Sequence, residues 1–109
     1  LGLPWWDKPA QPCLASRIPF GEEISSKRLE QIALAEEWII NQGFSKVRVR
    51  SQGLSARIEL PANEINNFLK IIERNQLIEY FLSLGFHSIS LDLEGLISGK
   101  LTRDIKKTT

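Results

Sequence analysis

The sequence predicts an α+β domain: a small antiparallel or mixed sheet of about three strands with helices packed on one face, ferredoxin-like, and preceded by an extended proline-rich arm. Three observations point there. The chain has 109 residues, the length of one domain and enough to bury roughly 65% of its unfolded surface. An amphipathic helical stretch is followed by two alternating runs on either side of a glycine, the pattern of a hairpin. A weak internal repeat then restates the order helix, Gly-Phe, strand. Glu37-Trp38-Ile39, Gly43-Phe44 and Val47-Arg48-Val49 return 42 residues later as Glu79-Tyr80-Phe81, Gly85-Phe86 and Ile89-Ser90-Leu91. Two such units on one sheet make a ferredoxin-like arrangement without its first strand, which the arm or a partner subunit could supply.

The arm is residues 1–24. Leu1 to Gly21 holds four of the five prolines, two tryptophans and the only cysteine, and prolines at that spacing keep a chain extended. The domain proper is expected over residues 25–99. Ser25 is an N-cap, with Ile24 able to staple onto Leu29. Leu29, Ile32, Ala33, Ile39 and Ile40 then form one helical stripe, stopped by Gly43. Lys46–Ser51 and Leu54–Leu60 alternate as strands, joined through Gln52-Gly53. Pro61 ends the second strand, and a helical region follows over about residues 63–84. Its apolar stripe changes phase, so a break near Arg74-Asn75 divides it into two helices. Gly85 stops the second, His87 to Leu93 alternates as a third strand, and residues 100–109 form a polar tail.

Composition excludes several classes of function. Hydrophobic residues make up 42% and charged residues 25%, with fourteen basic against thirteen acidic side chains. That balance carries no global field for nucleic acid or anionic lipid. No apolar run reaches the ~18 residues of a membrane span, so neither nucleic acid nor membrane is an expected partner. A single cysteine cannot form an internal disulfide, which fits a reducing, cytoplasmic setting, and it excludes a cysteine-built metal site within this chain. The chain has no methionine, so it is expected to be a piece of a longer protein.

A few residues break their local pattern. On the hairpin, Val47 and Val49 point one way and Lys46, Arg48 and Arg50 the other. With Gln52-Gly53 as a two-residue turn, Arg48 faces Arg57. Two arginines directly opposite are destabilising unless an anion lies between them; a solvated face with Lys46–Glu59 and Arg57–Glu59 pairs is the alternative. Glu36 falls in the middle of the first helix's apolar stripe, where an unpaired carboxylate would cost several kcal/mol. It therefore calls for an arginine partner, from Arg17, Arg48 or Arg50. Leu34 and Trp38 make a second apolar patch suited to a contact with another domain or subunit. Cys13 is the one candidate nucleophile, four residues from Arg17, though a lone cysteine is more often an inert small hydrophobe. Ser16 reads as a backbone or cap hydroxyl and His87 as structural, while Asp92 and Glu94 before Gly95 read as turn residues.

Trp6-Asp7-Lys8-Pro9 and Pro12-Cys13-Leu14-Ala15-Ser16-Arg17-Ile18-Pro19-Phe20-Gly21 resemble the central motif of the LarE family. The resemblance continues through Ala35-Glu36-Glu37, Gly43-Phe44, Val47-Arg48-Val49-Arg50, Ala56-Arg57-Ile58-Glu59 and Leu91-Asp92-Leu93-Glu94-Gly95. The family consists of ATP-dependent sulfur transferases of the PP-loop ATP pyrophosphatase superfamily. They convert pyridinium carboxylates of a mononucleotide into thiocarboxylates during synthesis of the nickel-pincer nucleotide.

The resemblance implies that this chain is the C-terminal half, inactive alone, with ATP and Mg held mainly by an N-terminal domain absent from it. It implies that Cys13 is the sulfur donor; some members hold an iron–sulfur cluster with additional cysteines, and a cysteine standing alone favours the single-turnover, sacrificial route. Ser16, Arg17, Arg48 and Arg50 would bind substrate or phosphate, with Arg57 joining them on the hairpin argument, and Glu36 would pair with arginine or assist proton transfer. It also implies a homo-oligomer whose partners are its own ATP pyrophosphatase domain and a pyridinium mononucleotide; on the single cysteine, no resident metal is expected. The alternative is a phosphate- or nucleotide-binding regulatory or oligomerisation module without catalysis. An RNA-thiolating PP-loop enzyme is disfavoured by the near-neutral charge.

Overall fold

The computed structural model describes residues 14–96. It is an α+β fold with three helices, α1 (Ser26–Asn41), α2 (Ile65–Ile71) and α3 (Arg74–Leu84), and three strands, β1 (Arg48–Gln52), β2 (Ser55–Glu59) and β3 (Ser88–Leu91). Short 3₁₀ turns cover Leu14–Arg17 and Ala62–Glu64. The arm was expected to be extended throughout; its described part begins instead with the Leu14–Arg17 turn, and residues 1–13, Cys13 included, lie outside the described residues.

Both ends of α1 follow from local sequence. Ser25 is extended, and its Oγ accepts the Arg28 N–H at 3.2 Å, satisfying one orphan donor of the first turn. At the other end the Gly43 N–H donates to Ile40 O at 2.9 Å and the Phe44 N–H to Ile39 O at 3.4 Å. The repeat reproduces this at the end of α3, from Gly85 to Leu82 O and from Phe86 to Phe81 O. Paired bonds of this kind need a left-handed residue between helix and exit, and both glycines have it, at φ 108° and 114°. Phe44 and Phe86 then drop into the core. The phase change in the second helical region is a true break: α2 ends at Ile71, and the Glu73 carboxylate caps α3 by accepting the Gln76 N–H at 3.1 Å.

The sheet order is β1-β2-β3, with β1 and β2 antiparallel and β2 and β3 parallel. In a ferredoxin-like sheet a further strand would separate the last two. Here β3 lies directly against β2, so the interior position expected to await a strand from the arm or a partner is closed.

The hairpin register also differs from expectation. Val49 pairs with Ile58 and Arg48 with Glu59, and the two loop residues are Gly53-Leu54 rather than Gln52-Gly53. A Gln-Gly turn of the I′ type would require positive φ at glutamine as well, whereas Gly53 at φ 57° takes the first loop position of a II′-like turn unaided. The shift of two residues keeps every side chain on its expected face but changes which arginines meet.

Val49, Ala56 and Ile58 from the sheet, with Val47 and Leu60 just beyond its strands, pack with Ala35, Ile39, Phe68, Leu77 and Phe81 in one core. Phe44 meets Phe68 edge-on at 5.2 Å between ring centroids. Trp38, expected to mark an external contact, is stacked on Tyr80 of the same chain at 6.0 Å and packs against this core. The two rings occupy equivalent positions of the repeat. No helix among the described residues is long and apolar enough to cross a membrane.

Candidate functional site

The first half of the site is an anchor. Leu14 and Ile18 pack on Ile32 of α1, with Leu29 and Ala33 alongside, forming a small cluster apart from the main core. That fastens the Leu14–Arg17 turn to the helix and brings Arg17 over Glu36. Both are 2% exposed, and they join as a two-pronged pair: Arg17 Nε donates to Glu36 Oε2 at 2.9 Å and Nη2 to Oε1 at 3.2 Å. Glu36 Oε2 also accepts the Val49 N–H at 2.9 Å, and Arg17 Nη1 reaches Ser16 Oγ at 3.1 Å. An edge strand leaves backbone groups without ladder partners, and one of those on β1 is taken by this carboxylate. The partner that Glu36 required is thus Arg17, and one buried group ties the turn, the helix and the strand together. Two charges at this depth repay their desolvation only through such complete hydrogen bonding.

The second half is the polar face of the hairpin. Arg50 and Arg57 stand opposite each other in the ladder, and Arg48 stands opposite Glu59. The expected Arg48–Arg57 clash is replaced by an Arg50–Arg57 one, and its anion is internal. Arg50 Nε donates to Glu59 Oε1 at 3.0 Å and Arg57 Nε to Oε2 at 3.2 Å. Glu59 is buried on what alternation marks as the solvent side. The expected Arg57–Glu59 pair is present, and Arg50 takes the place foreseen for Lys46. Arg50 Nη1 also reaches the Ser16 carbonyl at 3.4 Å, so this face touches the anchored turn.

Arg48 completes the cluster. Among the described residues it forms no ion pair, and its hydrogen bond goes from Nη1 to the carbonyl of its neighbour Val47 at 3.1 Å. Burial and the adjacent Arg17 cation, with Arg50 adding to them, hold its guanidinium below the usual arginine range, partly offset by Glu36 and Glu59. Arginine remains charged at neutral pH even so. The structure therefore gathers Ser16, Arg17, Glu36, Arg48, Arg50 and Arg57, six of the seven site residues expected from sequence; the seventh, Cys13, lies outside the described residues. The partly exposed guanidiniums of Arg48, Arg50 and Arg57 have the geometry to take a planar or tetrahedral oxyanion.

Two features were not foreseen. Glu59 was expected on a solvated face as a partner of Lys46 and Arg57, and nothing short of the ladder register shows that it is buried between two arginines. Arg28 makes a second network: Nη2 bonds Glu22 Oε1 at 2.9 Å and Ser51 Oγ at 3.0 Å, and Glu22 Oε1 also accepts the Gly53 N–H at 3.0 Å. This staples the hairpin tip to the start of α1. The Gly53 amide, then Arg28, holds the Glu22 carboxyl below its ordinary value. His87 is exposed and uses its backbone N–H on Leu54 O at 2.7 Å. Asp92 accepts the Glu94 N–H at 3.0 Å, as a turn carboxylate should, and stands 3.8 Å from Arg57 Nε.

Comparison with known proteins places the chain beside longer relatives. It is 38% identical over 108 residues to pyridinium-3,5-bisthiocarboxylic acid mononucleotide synthase of Lactiplantibacillus plantarum, a match that takes in 98% of this chain and 38% of the synthase. It is 50% identical over 107 residues to uncharacterized protein slr1717 of Synechocystis, covering 98% of this chain and 40% of that protein. Uncharacterized protein MJ0830 of Methanocaldococcus jannaschii is 33% identical over 87 residues, covering 79% of this chain and 33% of its own length. No family model matches. The chain is thus similar to one region of these longer proteins, and it spans about two fifths or less of the length of the curated relatives it matches.

Proposed function

We propose that this chain is the sulfur-donating, C-terminal half of a LarE-type ATP-dependent sulfur transferase, acting on a pyridinium mononucleotide in nickel-pincer nucleotide synthesis. The observation that carries the reading is the Arg17–Glu36–Val49 link. It ties the segment that follows Cys13 to the strand bearing Arg48 and Arg50, in a chain 38% identical to a mononucleotide thiocarboxylate synthase. In this reading a PP-loop ATP pyrophosphatase domain preceding the chain binds ATP with Mg and adenylates the substrate carboxylate. The Cys13 thiolate attacks the acyl carbon, AMP leaves, and a thioester forms. Removal of the Cys13 Cα proton and cleavage of its Cβ–S bond then release the thiocarboxylate and leave dehydroalanine. Arg48, Arg50 and Arg57 bind the mononucleotide phosphate, with Ser16 at their margin. Glu36 acts by holding Arg17, since both its oxygens are engaged by hydrogen bonds. The working protein is a cytoplasmic homo-oligomer.

Intact mass of the full-length protein after turnover with ATP, Mg and pyridinium mononucleotide tests this. The expected result is loss of one equivalent of hydrogen sulfide per chain, mapped to Cys13, and no product from Cys13→Ala. Product formed with the mass unchanged would rule out sacrifice. A Cys13→Ala protein that retains full function would leave the arginine face as a binding module without catalysis.

A further inference from the structure

We infer that Glu59 is the positioning residue of the arginine face, acting on Arg50 and Arg57 rather than on the ligand; the inference rests on the anion-binding reading above. β2 is the central strand: Glu59 pairs with Arg48 on one side, and on the other the carbonyls of its neighbours Ile58 and Leu60 accept from Asp92 and Leu96, so the backbone of Glu59 is fixed. Its side chain is 4% exposed, whereas those of Arg50 and Arg57 are 30% and 43% exposed. It grips both guanidiniums by their inner edges: Oε1 takes Arg50 Nε, and Oε2 takes Arg57 Nε with Arg57 Nη2 at 3.2 Å. Among the described residues, Arg50 Nη2 and Arg57 Nη1 then make no hydrogen bond. Two cations that would repel across the ladder are thereby fixed side by side with outer N–H groups to spare. A guanidinium already held through Nε loses less rotamer freedom when a ligand arrives. Arg48, opposite Glu59 and without an ion pair among the described residues, supplies a third donor group to the same face. The ligand chemistry this suits is a phosphate monoester, whose several oxygens can engage N–H groups from more than one arginine.

The inference separates by sign from a plain counter-charge. If Glu59 only neutralised the face, removing its charge would tighten anion binding. A positioning residue does the opposite, because Arg50 and Arg57 lose their shared hold. The test is NMR of the full chain titrated with inorganic phosphate, following hairpin amides and arginine Nε–H signals. In the wild type, Arg50 and Arg57 should give resolved, slowly exchanging Nε–H signals while that of Arg48 is averaged. Glu59→Gln should weaken phosphate about tenfold despite the added positive charge, and Glu59→Asp, with its charge kept but its reach shortened, should weaken it too. Binding unchanged or tighter in Glu59→Gln overturns the inference, as do averaged Arg50 and Arg57 signals in the wild type, a measurement that requires no variant to fold. Held Arg50 and Arg57 with no hairpin response to phosphate would support the hold by Glu59 and count against the anion-binding reading itself.

Discussion

The two halves of the internal repeat share a frame and differ in what they mount on it. In both, a helix ends on the same pair of backbone bonds through a left-handed glycine, a phenylalanine drops into the core, and a strand follows. Trp38 and Tyr80 even stack on each other from equivalent positions. Of the two units, only the first contributes residues to the polar site, which Ser16 and Arg17 before it and Arg57 and Glu59 on β2 complete. Where α1 has Glu36, buried against Arg17, α3 has Ile78, which lines an apolar cavity of about 290 Å³ with Phe68, Leu69 and Ile89. Where β1 has Arg48 and Arg50, the chain that includes β3 has Ser90 and Asp92. The two units keep the same helix stop and the same core phenylalanine. The candidate site residues of the first unit lie at positions where the units differ.

The sharpest way to break that contrast is at the paired positions. Glu36→Ala strands a buried Arg17 and frees the Val49 N–H, and should cost about 3–5 kcal/mol in urea unfolding. Ile78→Ala removes a half-buried aliphatic side chain and should cost about 1–2 kcal/mol. Equal costs would mean that the two units are not distinguished by the buried pair.

A smaller effect compares the two helix ends. Gly43→Ala and Gly85→Ala each place a Cβ on a left-handed residue, at roughly 1–2 kcal/mol. Gly85→Ala should be the worse of the two. Its Cβ would lie 2.5 Å from Gln31 Nε2, which bonds Leu84 O, while nothing lies within 4 Å at Gly43. Melting temperatures of the two variants check the order.

The smallest effect concerns pH. The folded-state value of Glu22 is depressed, so its contribution is present above the ordinary carboxylate value near 4.5 and is lost as pH falls through the lower folded value. Glu22→Gln should flatten this part of the stability profile below pH 4.5 and leave it unchanged above pH 6. A profile as steep as that of the wild type would remove Glu22 from the acid response.

Much of the fold is visible in local sequence because caps, glycine stops and periodicity are short-range. Ser25, Gly43 and Gly85 and the break between α2 and α3 can be read within a few residues of each. The hairpin turn was less legible: Gln52-Gly53 and Gly53-Leu54 both satisfy alternation, and choosing between them depends on which residue takes positive φ. That choice moves the arginine pair from Arg48–Arg57 to Arg50–Arg57 and turns Glu59 from a surface charge into a shared, buried counterion. The Glu22–Arg28–Ser51 staple was invisible because Ser51 lies 23 residues from Arg28 and each member is ordinary in its local setting.

The sequence alone determined the α+β class, the order of elements, the duplicated frame, and the requirement that Glu36 find an arginine. Periodicity and the cost of burying charge settle those without coordinates. Tertiary structure alone decided that the arginine is Arg17, that β3 closes directly on β2, and that Glu59 serves two arginines. Each depends on which distant segments share a desolvated neighbourhood, and burial, register and pairing energy are properties of the packed chain rather than of any stretch of it.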